Sequence, residues 1–341
     1  MPTVLKAKIA SKIRFIAKSI LCLLFLFTAG VTANTNTNEA VFTAVEQHLD
    51  KGETKQAMQL LQSIEHDAEA NIQLALLVRA DDLDDAEDYI NKAVQLEPDN
   101  ANAFFIRGLI MGQQASQSIF SAMSYAKKSL ESFEKAVALE PKNAEYRIGL
   151  FTFYIEALPI AGGDDDKALE QVAVLESLDP KRALIAKLQL ATKQEDSARI
   201  DRLIQEGQTV YPEDVDILFN AAMIKQNQKD YTAALSIFQD LAKISLTPEN
   251  QDTLLSAKYQ FAKTTILANR EYAQGLQAIE FYLEQTTLPD SAEFVQWAKF
   301  RKANILEGLG QNSEAKLIYT KLSKSDIKRL KKEAKKALKR V

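Results

Sequence analysis

The chain has 341 residues, of which 46% are hydrophobic and 26% are charged, and this composition excludes an intrinsically disordered chain. Only 11 glycines and 8 prolines occur, which is too few turn signals for an all-β protein of this length, so an all-α fold is favoured. The net charge is −4 and the basic residues gather at the two ends, which leaves the middle of the chain acidic. Because nucleic-acid binding depends on basic residues that neutralise the phosphates, this acidic middle argues against a nucleic-acid partner.

The first 33 residues (1–33) have the layout of a secretory signal peptide. A basic stretch without acidic residues precedes the apolar run ILCLLFLFTAGVTA, which ends in small residues. This run is shorter than the ~20 residues that cross a bilayer. We therefore expect cleavage after Ala33 and a periplasmic or secreted protein, with an uncleaved membrane anchor as the alternative. Cys22 is the only cysteine, so the cleaved chain would form neither disulfides nor zinc–thiolate sites.

Two nearly identical segments indicate a repeated structural unit: INKAVQLEPDN at 90–100 and FEKAVALEPKN at 133–143. Each copy belongs to a pattern of small, large apolar and small residues on one helix face, with a proline that stops the helix. These residues are Ala86, Ile90, Ala93 and Pro98 in the first copy, and Ser129, Phe133, Ala136 and Pro141 in the second. Asn100 and Asn143 are expected to cap the next helices, and Gly108 to admit close approach of a second helix.

Six of the eight prolines recur at spacings of 32 to 43 residues, which an ordinary helical bundle would not produce. The pattern predicts pairs of antiparallel helices over residues 34–323. The eight predicted units lie near 38–66, 67–100, 101–143, 144–180, 181–214, 215–250, 251–290 and 291–323.

Three segments resemble the tetratricopeptide repeat family: GETKQAMQLLQSI at 52–64, KDYTAALSIFQDL at 229–241 and GQNSEAKLIYTKL at 310–322. Several other units lack the turn glycine or the tyrosine of that family. The resemblance implies an all-α, right-handed α-solenoid of about eight repeats. It also implies a non-enzymatic scaffold that binds protein or peptide partners in a concave groove lined by the first helix of each pair.

Two units carry insertions, GQQASQSIFSAMSYAKKS at 112–129 and LPIAGGDDDKAL at 158–169. Insertions in a solenoid are expected to form loops, often on a functional face. Paired insertions of this kind resemble a subgroup of exported bacterial tetratricopeptide proteins, which supports a bacterial envelope setting. The acidic runs 81–85 and 164–166 are interpreted as helix starts, because the ligand spacing of an EF-hand calcium loop is missing.

No catalytic motif is recognisable in the sequence. His48 and His66 match no zinc spacing, and no phosphate loop or nucleophile elbow occurs. Trp297 is expected to be a core residue. We predict no catalytic residue, no cofactor and no metal; an enzyme or enzyme subunit with a site made of scattered carboxylates is a rival interpretation.

The resemblance places the second, fifth and ninth residues of first helices in the groove. The predicted partner-binding residues are Asn102, Phe105, Leu109, Glu145, Ile148, Thr152, Asp216, Phe219 and Met223. This mixture is apolar and mildly acidic, and the Lys and Asn residues of a two-carboxylate clamp are not visible there. The groove is therefore expected to prefer an amphipathic or basic segment to an acidic peptide tail.

The last 18 residues (324–341) hold nine basic and two acidic residues. Ile327, Leu330, Ala334, Leu338 and Val341 share one helix face. This pattern predicts a capping helix that closes the last repeat. The alternative is a membrane-surface adaptor that uses the basic helix on anionic lipid.

Overall fold

A computed structural model describes residues 38–118 and 120–341. Within these ranges the chain forms seventeen α-helices and one short 3-10 helix, and no β-strand. The all-α prediction is confirmed. The expected signal peptide, its cleavage site and Cys22 lie outside the described residues.

The helices follow one another as eight pairs and one final helix. The first helices of the pairs are α1 Glu39–Asp50, α3 Ala68–Val78, α5 Ala101–Gln117, α7 Ala144–Glu156, α9 Pro180–Lys193, α11 Val215–Asn227, α13 Gln251–Ala268 and α15 Glu293–Gly308. The second helices are α2 Thr54–Ser63, α4 Leu83–Leu96, α6 Ala122–Leu139, α8 Asp165–Leu178, α10 Ser197–Val210, α12 Tyr231–Lys243, α14 Tyr272–Gln285 and α16 Asn312–Leu322. The final helix is α17 Lys328–Ala337, and the 3-10 helix Pro159–Ala161 lies between α7 and α8.

Polar side chains begin many of these helices, as the sequence predicts. The side chain of Asn100 accepts a hydrogen bond from the backbone N–H of Ala103 at 2.9 Å. Asn143 accepts hydrogen bonds from the N–H groups of Glu145 and Tyr146 at 3.0 and 3.3 Å. These bonds satisfy backbone donors that have no partner within the helix. Both predicted caps are confirmed.

The recurring prolines follow the second helices of the pairs. Helix α4 ends two residues before Pro98, and α6 ends two residues before Pro141. Pro180 differs, because it is itself the first residue of α9. The first position of a helix has no hydrogen-bond partner for its N–H, so proline is tolerated there.

The insertion in the third pair is helical, which differs from the loop expected. It lengthens α5 to Gln117 and starts α6 at Ala122, so only a short connection separates the two helices. The insertion in the fourth pair does form a loop. Gly163 is required in that loop, because a Cβ atom there would lie 2.0 Å from the carbonyl oxygen of Ala157.

The chain divides into two compact units after Arg182. In the first unit, Phe133 of α6 packs against Gly108 of α5, where a Cβ atom would lie 2.8 Å from the ring. The prediction that Gly108 admits a close helix is therefore confirmed. At the start of this unit Val45, Leu61 and Leu74 belong to one buried cluster.

The second unit contains a continuous apolar core, and its final helix packs onto the preceding pair. Leu218, Phe238 and Phe261 belong to its largest buried cluster, which extends from α9 to α14. At its end, Leu330 and Ala334 of α17 pack against side chains of α15 and α16. None of the helices in residues 38–118 and 120–341 has both the length and the apolar character needed to span a membrane.

Candidate functional site

Three successive first helices pack side by side as a layer in each unit. Helix α5 contacts both α3 and α7 in the first unit, and α13 contacts both α11 and α15 in the second, in addition to the contacts within each pair. Side chains of these helices that do not pack against other helices are therefore available to a partner. We call the surface that they form on α3, α5 and α7 in the first unit, and on α11, α13 and α15 in the second, the first-helix face of that unit.

Phe105 does not lie on the first-helix face, which corrects the expectation that it contacts a partner. It is 4% exposed, and its ring packs on Tyr146 and Phe133 at centroid distances of 4.9 and 5.8 Å. Gly149 of α7 makes room for the ring, because a Cβ atom there would lie 2.6 Å from it. Phe105 thus joins α5 to α7.

Phe219 is also a core residue, and the same correction applies to it. It is 6% exposed and belongs to the large buried cluster of the second unit, with Leu218 and Phe261. An aromatic ring at the fifth position of a first helix is large enough to reach the next first helix. In both units this apolar surface is removed from water by packing.

The other seven predicted residues are half-buried, so each keeps part of its surface available. They are Asn102 and Leu109 on α5, Glu145, Ile148 and Thr152 on α7, and Asp216 and Met223 on α11. The first five lie in the first unit and the last two in the second. Asp216 already accepts a hydrogen bond from the hydroxyl of Thr253 at 3.2 Å. Contact of these seven residues with a partner stays a prediction.

The second unit holds polar residues that the sequence did not single out. Gln226 of α11 donates to the hydroxyl of Thr264 at 2.7 Å, and it accepts from Nζ of Lys263 at 3.2 Å. One helix further on, Nε of Arg301 donates to the hydroxyl of Tyr259 at 2.9 Å. The guanidinium carbon of Arg301 also lies 5.2 Å from the centre of that ring. These contacts connect α11, α13 and α15.

Two causes lower the pKa of Lys263: its burial first, and then the positive charge of Arg301. Burial disfavours the charged form of a lysine, and a nearby cation does the same.

Counting along the chain reaches only one member of this pair. Arg301 is the ninth residue of α15, a position that the counting assigns to the groove, whereas Lys263 is the thirteenth residue of α13, which the counted positions do not include.

A second polar group closes the end of the same unit. The hydroxyl of Tyr319 donates to Glu307 at 2.8 Å and accepts from the side-chain amide of Asn304 at 2.6 Å. Arg340, beyond α17, forms two hydrogen bonds with the Glu307 carboxylate, both 2.9 Å long. The bonds from Arg340 lower the pKa of Glu307, although partial burial opposes them.

Helix α17 presents a basic surface to solvent. Its Leu330, Ala334 and Ala337 are fully buried, so the apolar side of the helix is used in packing. Its exposed lysines are Lys328, Lys332, Lys335 and Lys336, and Lys331 is half-buried. Trp297 of α15, expected in the core, is half-buried. It packs against Phe300 at 5.6 Å and lies 5.7 Å from the guanidinium of Arg329.

The acidic runs occupy helix starts, as interpreted from the sequence. Asp164 accepts hydrogen bonds from the N–H groups of Asp166 and Lys167, and Asp82 accepts from Asp84 and Asp85. Among the residues that the structure describes, no three His, Cys, Asp or Glu side chains are grouped as metal ligands would be. His48 forms a 2.6 Å hydrogen bond with Glu53.

No family model and no curated protein matches the chain. Among solved structures, yeast Tom70 superposes with a TM-score of 0.62 at 14% identity, over 99% of this chain and 73% of that chain. A tetratricopeptide repeat protein from Parabacteroides merdae has a TM-score of 0.42 at 16% identity, covering 89% and 98%. PilW, described as a type IV pilus biogenesis factor, has a TM-score of 0.42 at 17% identity, covering 75% and 92%.

Of these three superpositions, the one on Tom70 is close enough to compare folds, and at 14% identity it bears on the fold alone. Together with the eight helix pairs, it identifies the architecture as an α-solenoid of the tetratricopeptide-repeat type.

Proposed function

We propose that this protein is a non-enzymatic scaffold that binds protein partners with the first-helix faces of its solenoid. One observation carries the proposal. In each unit three successive first helices pack side by side, and half-buried side chains on them, such as Leu109 of α5 and Met223 of α11, keep part of their surface available. Stacked helix pairs use such extended surfaces to bind protein segments.

Site-specific photo-crosslinking in intact cells tests this proposal. A photoreactive amino acid replaces Leu109 or Met223, and a matched control replaces Gln205, an exposed residue on the second helix α10. We expect discrete protein adducts, identified by mass spectrometry, from the two first-helix positions and none from Gln205. Equal adducts from all three positions, or none from any, would contradict the proposal.

We also propose that the scaffold works in a bacterial envelope. This proposal rests on the sequence pattern of residues 1–33, which resembles a signal peptide. N-terminal sequencing of the protein purified from the periplasm should begin at Asn34. A sequence that begins at Met1 in the membrane fraction would favour an anchored protein instead.

The basic surface of α17 favours a second candidate function, a peripheral contact with an anionic membrane. Its apolar side is buried against α15 and α16, so the helix would attach by charge and not by inserting into lipid. Each lysine near an anionic surface contributes about 1 kcal/mol, and salt screens this attraction.

Sedimentation with vesicles that contain anionic lipid tests the second function. Lys332→Gln, Lys335→Gln and Lys336→Gln together should abolish binding at low salt, whereas replacement of three exposed lysines elsewhere (Lys51, Lys55 and Lys142) should not. These substitutions keep the buried side of α17, which a deletion of 324–341 would remove. Binding that persists at high salt in the triple variant would refute an electrostatic contact.

A further inference from the structure

Two neighbouring connections in the first unit expose large apolar side chains. Phe120, between α5 and α6, is 99% exposed, and Met123 in the first turn of α6 is exposed as well. In the connection between α7 and α8, Ile160 is 80% exposed and Leu158 is 69% exposed. Each connection belongs to one of the two insertions in the sequence. We call these four side chains the apolar edge.

The two connections lie on the same side of α6. The 3-10 helix Pro159–Ala161 contacts α6, and a Cβ atom on Gly162 would lie 2.8 Å from the side chain of Leu130. Leu130 follows Met123 by two helical turns, about 10 Å along the helix axis, and residues at this spacing point in nearly the same direction. The four side chains of the apolar edge therefore lie along one edge of the first unit.

Backbone hydrogen bonds hold the connection between α7 and α8 in its conformation. The N–H groups of Ala161 and Gly163 both donate to the carbonyl oxygen of Leu158, at 2.8 and 3.0 Å. Gly162 adopts a left-handed φ of 98°, which glycine permits without strain. Removal of apolar surface from water would favour a loop that folds over its own side chains. These bonds instead keep Leu158 and Ile160 in contact with solvent.

The apolar edge is uncharged, and a lysine follows it. Residues 108–126 and 157–163 contain no Asp, Glu, Lys or Arg. The first charged residue after Met123 is Lys127, which lies one turn further along α6 with a side chain 79% exposed. Its contact with Glu131 at 3.8 Å is a weak surface pair. Apolar side chains followed by a long basic one match a phospholipid surface, where acyl chains lie below the headgroup phosphates.

The size and shape of the apolar edge favour lipid as its occupant. A stable interface between two proteins, or between two copies of this chain, takes about 20–30 residues a side. Four side chains on two short connections do not supply such a surface. Phe120 has almost no contact with the rest of the described chain, so it offers a partner a projecting ring and no pocket. Fluid acyl chains adapt to a projecting ring without a complementary surface.

We infer that the apolar edge inserts into the surface of a phospholipid membrane. The inference goes beyond the proposed scaffold function, because it assigns a membrane contact to the first unit. It also differs from the electrostatic contact of α17. Burial of apolar side chains does not require anionic lipid, and salt does not screen it. The acidic run 164–166, next to the second connection, makes zwitterionic lipid the suitable probe.

Depth measurements with spin labels on the full chain test the inference, with vesicles of phosphatidylcholine. Cys22, the only cysteine, is changed to serine, and a nitroxide is attached to Phe120→Cys or Ile160→Cys. The matched control is Leu317→Cys, which replaces a leucine that is 67% exposed on the second helix α16. When vesicles are added, the labels at the first two positions should become protected from a water-soluble relaxation agent. The label at the control position should stay accessible.

A second set of variants measures how much Phe120 contributes to insertion. In the chain labelled at Ile160→Cys, Phe120→Ser should lower the ratio of protected to accessible label about tenfold, because one large apolar side chain no longer leaves water. Leu317→Ser should leave this ratio unchanged, and so should high salt. Both replaced side chains are exposed, so thermal unfolding should be the same for the two variants.

The inference is overturned if the labels at Phe120 and Ile160 stay as accessible as the label at Leu317, or if high salt removes their protection. Protection that appears without vesicles as the protein concentration rises would assign the apolar edge to a second copy of the chain. A discrete protein adduct from a photoreactive amino acid at Phe120 would assign it to a protein partner. None of these results bears on the crosslinking at Leu109 and Met223, which tests the scaffold function separately.

Discussion

At the residue scale, the same side chain can serve packing or recognition, and burial separates the two. Phe105 was expected to contact a partner, but its ring lies between Tyr146, Phe133 and the backbone of Gly149. A buried aromatic ring of this kind contributes to the stability of α5 against α7.

Phe105→Ala should therefore destabilise the protein, by about 3–5 kcal/mol, the usual cost of truncating a buried phenylalanine. The measurement is the free energy of unfolding in urea, followed by circular dichroism. Leu109→Ala on the same helix is the control and should cost clearly less, because Leu109 is only half-buried. A Phe105→Ala variant with unchanged stability would show that the ring is not part of the core.

The ion pair between Glu307 and Arg340 should make stability depend on pH. Because the pKa of Glu307 is lowered in the folded state, its contribution is complete above the pKa of an unfolded glutamate, about 4.3. This contribution is lost as the pH falls through the lower, folded value. The side chain of Arg340 is 48% exposed and that of Glu307 is 24% exposed. Solvent therefore screens the ion pair, which contributes at most about 1 kcal/mol to the stability of the fold.

Arg340→Gln should thus lower stability at pH 7 by up to about 1 kcal/mol, and the difference from the natural protein should shrink as the pH falls below about 4.3, the pKa of an unfolded glutamate. Thermal unfolding of the variant and of the natural protein at a series of pH values measures this difference in stability. Lys339→Gln, an exposed neighbour, should show no such pH-dependent difference. A constant difference across the pH range would assign the effect of Arg340 to packing.

At the scale of the elements, local sequence signals define where helices begin. Asn143 caps α7 by accepting from two backbone N–H groups, whereas Ser121 precedes α6 without any side-chain cap. The two residues therefore form a natural comparison between a working cap and a residue that merely occupies the same position.

Asn143→Ala should cost about 1 kcal/mol, the typical value of a helix cap. Ser121→Ala should change stability by less than about 0.5 kcal/mol. Urea unfolding measures both variants under the same conditions. Equal losses in the two variants would mean that the cap hydrogen bonds of Asn143 do not stabilise α7.

At the scale of the whole molecule, an open row of helix pairs must cover its last apolar surface. Helix α17 does this with Leu330, which is fully buried against residues of α15 and α16. Because repeats are stabilised mainly by their neighbours, loss of this contact should affect the nearest pairs most.

Leu330→Ala should cost about 2–5 kcal/mol locally. Hydrogen exchange should accelerate in α15, α16 and α17, with little change in α1 to α8. Lys332→Ala, which changes an exposed residue of the same helix, is the control. Uniform acceleration along the whole chain would instead indicate that the solenoid unfolds as one cooperative body.

Much of this architecture follows from the sequence alone. The pattern around Ile90 and Phe133, each before a proline, predicts the helix pairs because a helix repeats every 3.6 residues and proline cannot continue it. Asn100 and Asn143 predict helix starts because a cap needs only local hydrogen bonds. These features depend on residues that are close together in the chain, so they can be predicted from the sequence of a single protein.

Only the tertiary structure could decide which side chains face a partner. Phe105 is buried against Tyr146 of α7, and Phe219 is buried in one cluster with Phe261 of α13. Lys263 bonds to Gln226 of α11 and Arg301 bonds to Tyr259 of α13 because α11, α13 and α15 stack side by side. Burial and charge pairing between distant segments are set by packing, and packing is not encoded in the spacing of residues along one helix.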